Sequence, residues 1–326
     1  MRILIIKPSS LGDVVHALPT VNLIRKKFPD ATITWLINDN LASLLKKGCP
    51  VIDGLIAFPR REFGKFWQLP RVLTFMRRLR AENFDIVIDL QGLLRSGLMT
   101  RATRAPRRIG LSDAREGSRV FYNEIVEVPR IHAVDRYLQA AHHLGCDISS
   151  VEFPLNSIPS DVSYVDGLVP KSGALIAVNP SARWDTKLWG DDKFAALLKQ
   201  LPRDRVVLTG SAEDATRIEK LSQGCTNLAG KTDLAQLAEV YRRCAVVITN
   251  DSGPMHLAAA VGTPVVAVFG PTDPALTGPY GKRHVVLRSG IPCSPCMKPY
   301  CTHTPRMECM KLVTVEQVLA AAQPFL

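Results

Sequence analysis

Apolar and polar positions along this chain fall into two alternating patterns. Short unbroken apolar runs, RILIIK (2–7), TITWLI (32–37) and DIVIDL (85–90), are separated by stretches in which apolar residues recur every three or four positions. The first such stretch is GDVVHALPTVNLIRKKF (12–28), and another lies in an arginine-rich block before residue 85. The second half repeats this grammar. ALIAVN (174–179), RVVLTG (205–210), VVITN (246–250) and PVVAVFG (264–270) read as strands, and DKFAALLKQL (192–201), AEDATRIEKLSQ (212–223) and LAQLAEVYRRC (234–244) as helices. Runs without polar alternation suit strands buried on both faces, and the longer period suits the helices that cover them. The pattern therefore predicts an α/β chain of two doubly wound parallel-sheet domains, 1–160 and 161–326. LNSIPSDVSYVDGLVPKSG (155–173), rich in Pro, Ser and Asp, is the expected linker. The second domain carries a Cys-rich segment at 293–309 and a terminal helix. Open sheets of this kind bind ligands at the carboxyl ends of their strands, so a cleft between the two domains is the expected site.

Composition narrows the class. A chain of 326 residues, 46% hydrophobic, is long enough for two cored domains and too apolar for disorder. No apolar run approaches the ~18 residues that span a bilayer. MRILIIKPSS has no small-residue cleavage site after it and reads as a first strand, which places the chain in the cytoplasm with its thiols reduced. The net charge of +11 is uneven: fourteen Lys and Arg against six Asp and Glu lie between Ile56 and Val120. Such a block seeks nucleic acid, acidic lipid or a phosphorylated substrate, although for scattered arginines such as MRRLR (76–80) a solvated face is the default.

Three strand ends carry unusual residues. In KPSSLGDVVHALP (7–19), Ser9, Ser10 and Gly12 make a small-residue turn whose N–H groups suit an anion or a ligand oxygen. Asp13 follows in the first helical turn, where by itself it reads as a dipole-favoured acid. NPSARWDTKLWG (179–190) sets Lys187 between Trp184 and Trp189, an arrangement that would fix a positive charge before a phosphate. In NDSGPMHLAAA (250–260), Ser252 or Gly253 suits the helix cap and Pro254 the first turn, which leaves Asp251 and His256 unexplained. A helix N-terminus with a histidine is a cradle for a pyrophosphate, and a neighbouring carboxylate suits sugar hydroxyls. The combination points to a nucleotide sugar.

Together with DLQGLLRSG (89–97) and GTPVVAVFGPTDP (262–274), these segments resemble glycosyltransferase family 9, the lipopolysaccharide heptosyltransferases that use ADP-activated heptose. The resemblance runs nearly end to end. It implies a GT-B architecture of two Rossmann-like domains facing across a cleft, acceptor on the first and nucleotide sugar on the second. It further implies inverting transfer to the inner core of lipopolysaccharide with no cofactor in catalysis. Asp13 matches the family's general base, and Lys187 the lysine that neutralises the diphosphate. Donor binding would fall to Ser10, Gly12, Ser181, Lys187, Asp251, Ser252, Gly253, Pro254 and His256, with Glu213 on the ribose and Thr232 near the adenine. Asp214 rivals Glu213. Arg60, Arg61 and Lys65 in FPRREFGKFW (58–67) would meet an anionic lipopolysaccharide-core acceptor. The partners implied are ADP-heptose and that acceptor, with no nucleic acid, and with peripheral contact at the inner face of the cytoplasmic membrane. The same scaffold acting on another glycan or a protein, or serving as a non-catalytic nucleotide- or anionic-lipid-binding protein, is the alternative.

Half of the eight cysteines, Cys293, Cys296, Cys301 and Cys309, crowd into IPCSPCMKPYCTHTPRMECM (291–310) beside His303. A Cys-x2-Cys pair with two further thiols has the ligand number of a structural zinc or iron site. Cys49, Cys146, Cys225 and Cys244 read as core residues.

Overall fold

The computed structural model describes residues 1–58, 68–171 and 173–326. The chain divides into two compact units, Met1–Asn156 and Ser157–Leu326. The first unit contains β1 (Arg2–Ile6), α1 (Leu11–Lys27), β2 (Thr32–Ile37), α2 (Ala42–Gly48), β3 (Gly54–Ala57) and α3 (Leu69–Ala81). It continues with β4 (Ile86–Asp89), α4 (Leu94–Thr103), β5 (Arg107–Leu111), β6 (Glu124–Val126) and α5 (Ala133–His143). The second begins with α6 (Pro159–Asp166), β7 (Leu175–Asn179), α7 (Asp191–Leu198), β8 (Val206–Leu208), α8 (Ala215–Ser222), β9 (Thr226–Asn227) and α9 (Leu234–Arg242). It ends with β10 (Cys244–Asn250), α10 (Gly253–Ala260), β11 (Val265–Val268), α11 (Pro274–Thr277), β12 (His284–Leu287), α12 (Glu308–Lys311) and α13 (Val315–Ala322).

Each unit is built on a six-stranded parallel sheet, in the orders β3-β2-β1-β4-β5-β6 and β12-β11-β10-β7-β8-β9. The sheets share one topology. Strand order reverses beside the first strand of each unit, between β1 and β4 and between β7 and β10, and such switch points open a crevice at the carboxyl edge. The central strands are apolar because both faces are covered: Ile3 to Ile6 and Leu175 to Val178 are 2% exposed or less.

The segment read as a linker is structured. Pro159 sits at the start of α6, where its missing N–H costs nothing. Val165 of that helix is fully buried, and Tyr164 Oη donates to the Lys231 carbonyl at 2.8 Å. Most of 155–173 thus belongs to the second unit. Cys49, Cys146, Cys225 and Cys244 are all buried. No helix among the described residues is long and apolar enough to cross a membrane.

Candidate active site

At the switch point of the first unit, β1 runs out into Lys7 and the Ser9-Ser10 turn before α1 begins. Ser10 is the N-cap of α1 and Asp13 its third residue, and the two close a capping box. Oδ2 of Asp13 accepts from the Ser10 N–H at 3.0 Å and from its hydroxyl at 2.8 Å. The Ser10 N–H, expected to face an anion, is therefore satisfied by Asp13. Oδ1 accepts from Tyr137 Oη of α5 at 3.2 Å and lies 3.6 Å from Lys7 Nζ. Lys7 in turn stands over the Tyr137 ring, 5.0 Å from its centre, and Arg136 stands 4.9 Å from the same ring while bound to Asp113 at 2.7 Å.

Burial by itself would raise the Asp13 pKa, but the Lys7 charge, the Ser10 hydrogen bonds and His16 outweigh it and hold the carboxyl well below the ordinary aspartate range. Lys7, only 3% exposed, shows the reverse balance: burial disfavours its charge, yet Asp13 and Tyr137 keep it protonated. The pair is ionised. Asp13 still leaves 38% of its side chain open. It faces a cavity of about 320 Å³ whose lining includes Lys7, Asp89, Gln91, Arg115, Arg136 and Tyr137. Among the described residues, the buried Gln91 Oε1 and Arg136 Nε on that wall have no hydrogen-bond partner. Asp89 is fully buried and serves the turn, accepting from the Gln91 and Gly92 N–H groups and from Tyr122 Oη. Gly12 is buried in the first turn of α1. Arg60, Arg61 and Lys65 lie outside the described residues.

At the second switch point, Lys187 Nζ lies 2.6 Å from Oδ2 of Asp251 and 4.8 Å from the Trp184 ring centre. Asp251 is 3% exposed and also accepts from the Thr272 hydroxyl. Trp189 does not flank the ammonium as expected. It belongs to the apolar core of the second unit, stacked edge-on against Phe194 at 5.0 Å with its indole N–H on the Val313 carbonyl. Ser252 stands at the N-cap of α10, but its hydroxyl turns 3.3 Å to Thr249 and makes no cap bond. The first-turn N–H groups of α10 therefore have no side-chain cap, and Pro254 occupies a position that needs none. His256 lies in that turn, 7% exposed.

The ends of β8 and β9 lie side by side, since the Gly230 N–H reaches the Gly210 carbonyl at 3.1 Å. Gly230 has a positive φ of 72°, and an added Cβ would sit 2.8 Å from the Ala212 Cα. Glu213 and Thr232 occupy these two adjoining turns. Glu213 is exposed and makes no ion pair or hydrogen bond among the described residues. Asp214 is spent locally: it accepts from Ser211 at 2.7 Å and lies 3.5 Å from Arg217. Arg217 also donates to the Ser181 hydroxyl at 2.8 Å and pairs with Asp191 at 2.6 Å.

The expectation of a structural metal is not supported. Among the described residues, no group of three or more His, Cys, Asp or Glu is arranged to hold an ion. Cys293, Cys296, Cys301 and Cys309 do border one cavity of about 160 Å³, but His303 is committed to Glu308 at 2.7 Å and Cys301 Sγ accepts the Met307 N–H. The segment instead buttresses the Lys187 turn: Thr186 Oγ1 donates to the Lys298 carbonyl at 3.3 Å, and the Met297 N–H to the Pro271 carbonyl at 2.6 Å.

Sequence reasoning missed Lys7, Tyr137 and Arg217. Lys7 had one available signal, a lysine closing an apolar strand just before a Ser-rich turn at a carboxyl edge. Tyr137 had none, since 124 residues separate it from Asp13.

Two parallel sheets of this order, each gathering its charged residues at the switch point, define the two-domain α/β fold of GT-B enzymes. The profile of Glycosyltransferase family 9 (heptosyltransferase) matches residues 72–306, and the chain belongs to that family. It is 31% identical to lipopolysaccharide heptosyltransferase 1 of Pseudomonas aeruginosa, over 97% of this chain and 92% of that one. Among solved structures it is similar to the E. coli heptosyltransferase WaaC with ADP, with a TM-score of 0.80, 26% identity and full coverage of both chains. It shares its fold with E. coli ADP-heptose lps heptosyltransferase II at a TM-score of 0.82, 24% identity, and coverage of 100% of this chain and 98% of that one. The protein is a glycosyltransferase of the heptosyltransferase type.

Proposed function

We propose that this protein moves heptose from ADP-heptose to the inner core of lipopolysaccharide at the inner face of the cytoplasmic membrane, with inversion and without a metal ion in the chemistry. The acceptor occupies the first unit and the nucleotide sugar the second. The acceptor hydroxyl oxygen attacks the anomeric carbon as the bond from that carbon to the diphosphate oxygen breaks, and the hydroxyl proton passes to Asp13. A carboxylate held below its usual range is ionised at every working pH but is a weak base. It therefore takes the proton late, once the attacking oxygen has become acidic.

In the second unit Lys187 exchanges Asp251 for the departing diphosphate and neutralises its charge. Asp251, released from that pair, accepts heptose hydroxyls. The uncapped first turn of α10, from Ser252 and Gly253 through Pro254 to His256, receives phosphate oxygens. Glu213 takes the ribose hydroxyls, Thr232 borders the adenine, and Ser181, steadied by Arg217, donates to the donor. Arg60, Arg61 and Lys65 hold the anionic acceptor.

The observation that carries this reading is Asp13 itself, an ionised carboxylate fixed on both oxygens yet open to a polar cavity. Mass spectrometry after incubation with ADP-heptose and a panel of truncated lipopolysaccharides tests it. A heptose mass added to one inner-core acceptor is expected; ADP binding with no product from any of them would overturn it.

A further inference from the structure

The first unit presents an outer layer that the catalytic reading leaves unused. α3 and α4 lie together on one face of its sheet, with Leu79 and Met99 facing inward onto Leu4, Ile6 and Val87. The 118–121 turn packs on α4 so closely that a Cβ added at Gly97 would lie 2.6 Å from the Phe121 ring. The three segments form one continuous surface.

Its outward side carries large apolar residues where solvent should favour polar ones. Leu69 and Leu73 of α3 are 56% and 47% exposed, Leu94 and Leu98 of α4 43% and 41%, and Val120 of the turn 79%. These are five of the twelve exposed large apolar side chains among the described residues, gathered on one layer. Each leucine pair is spaced i, i+4, so it forms a stripe along its helix. The stripe continues into arginine: Arg77 and Arg80 on α3, Arg101 on α4 and Arg104 just beyond it. Arg77, Arg80 and Arg104 border an open groove of about 620 Å³ between the two helices. Asp85 on its wall is occupied, accepting the Arg2 N–H at 2.7 Å, and the nearby Glu82 is paired with the Arg2 guanidinium. Among the described residues no carboxylate lies within ion-pair distance of Arg77, Arg80, Arg101 or Arg104.

We infer that this layer docks flat on an anionic phospholipid bilayer, the leucines and Val120 entering the acyl boundary and the arginines meeting lipid phosphates. Leucines beside uncompensated cations have the chemistry of an interfacial amphipathic surface. A second copy of the chain is a poor occupant, because a self-complementary contact would set arginine against arginine. Both helices follow parallel strands, so their leucine ends start at the carboxyl edge of the sheet, the edge that bears Asp13. Docking by this layer keeps that edge next to the lipid surface.

Vesicle flotation tests the inference, comparing phosphatidylcholine vesicles with phosphatidylcholine–phosphatidylglycerol vesicles at low and high salt. The wild-type chain binds the mixed vesicles, and salt weakens the binding. Leu73→Ser with Leu98→Ser, and separately Arg77→Glu with Arg80→Glu, each lower the bound fraction about tenfold or more. Lys199→Glu, a charge change on the second unit, leaves it unchanged. All variants are checked for native circular dichroism and for turnover of ADP-heptose on a deacylated, water-soluble acceptor. Retained turnover there separates loss of docking from failure of the transferase reading. The inference is overturned if the wild type ignores the mixed vesicles, if both patch variants bind as well as it does, or if Lys199→Glu loses as much. RNA binding or dimerisation that these variants abolish, without vesicle binding, would overturn it too.

Discussion

The hydroxyl of Tyr137 donates a hydrogen bond to Oδ1 of Asp13, 3.2 Å away, and ties α5 to the first turn of α1. Ser10 fixes the other oxygen. The carboxylate is thus held in one orientation by two elements distant in sequence. Tyr137→Phe removes one donor and keeps the ring under Lys7. Its expected effect is a fall of about tenfold in kcat, the weight of ~1.5 kcal/mol for a hydrogen bond to a charged group. ADP affinity should not move, which steady-state kinetics with calorimetry will show.

Lys7 sets the proton affinity of the same carboxylate. Native Asp13 releases its proton at lower pH than the unfolded chain does. The stability it contributes is therefore complete above its ordinary 3.8 and is lost as pH falls below it. The groups facing it are Lys7 at the end of β1, His16 on α1, and Tyr137 and Arg136 on α5. In Lys7→Met the burial remains and the opposing charge is gone, so the carboxyl pKa rises. The variant's kcat should therefore fall at the acid end of the working range, where the wild-type carboxylate is still ionised. Superimposable pH profiles for the two proteins would rule this out.

Lys187 and Asp251 form a nearly buried pair, so removing one partner strands the other. Lys187→Met should lower transfer about a hundredfold or more, as loss of a preorganised charge at a leaving group does. It should also cost roughly 3 kcal/mol of folding stability, because Asp251 is left charged at 3% exposure. Adding Asp251→Asn should return most of the stability and none of the activity. Denaturant melts and turnover assays on the single and double variants check both halves.

Glu213 and Asp214 are neighbours with opposite expectations. Glu213→Gln should weaken ADP binding about tenfold and leave the melting temperature in place, since its side chain makes no hydrogen bond or ion pair among the described residues. Asp214→Asn loses the charge that accepts from Ser211 and faces Arg217, so its effect should appear in stability first. Calorimetry and thermal melts distinguish them; the reverse pattern would hand the ribose to Asp214.

The apolar strands on either side of each switch point were legible because they are buried on both faces and carry no polar interruption. β5 and the edge strands were not. β5 is RRIGL, and Arg107 is explained only by the partner strand, since it forks onto Glu124 of β6 at 2.7 and 2.8 Å. Gly110 interrupts it because the Tyr122 ring lies where a side chain would be, 2.1 Å from an added Cβ. Neither reason can be seen in a window of sequence. The same limit applies at the site. Asp13, Lys187 and Asp251 stood out at strand ends, whereas Tyr137 and Thr272 enter only through long-range contacts, and Trp189 looked like a ligand neighbour until its packing against Phe194 was known.

The base assignment to Asp13 is the claim on which the proposed chemistry turns, and single-turnover transfer by Asp13→Asn tests it most directly. Asparagine keeps the shape and the Ser10 contacts but cannot take a proton. The rate of heptose transfer should drop about a hundredfold or more while ADP-heptose still binds with wild-type affinity. A variant that transfers heptose within a fewfold of the wild-type rate would contradict it.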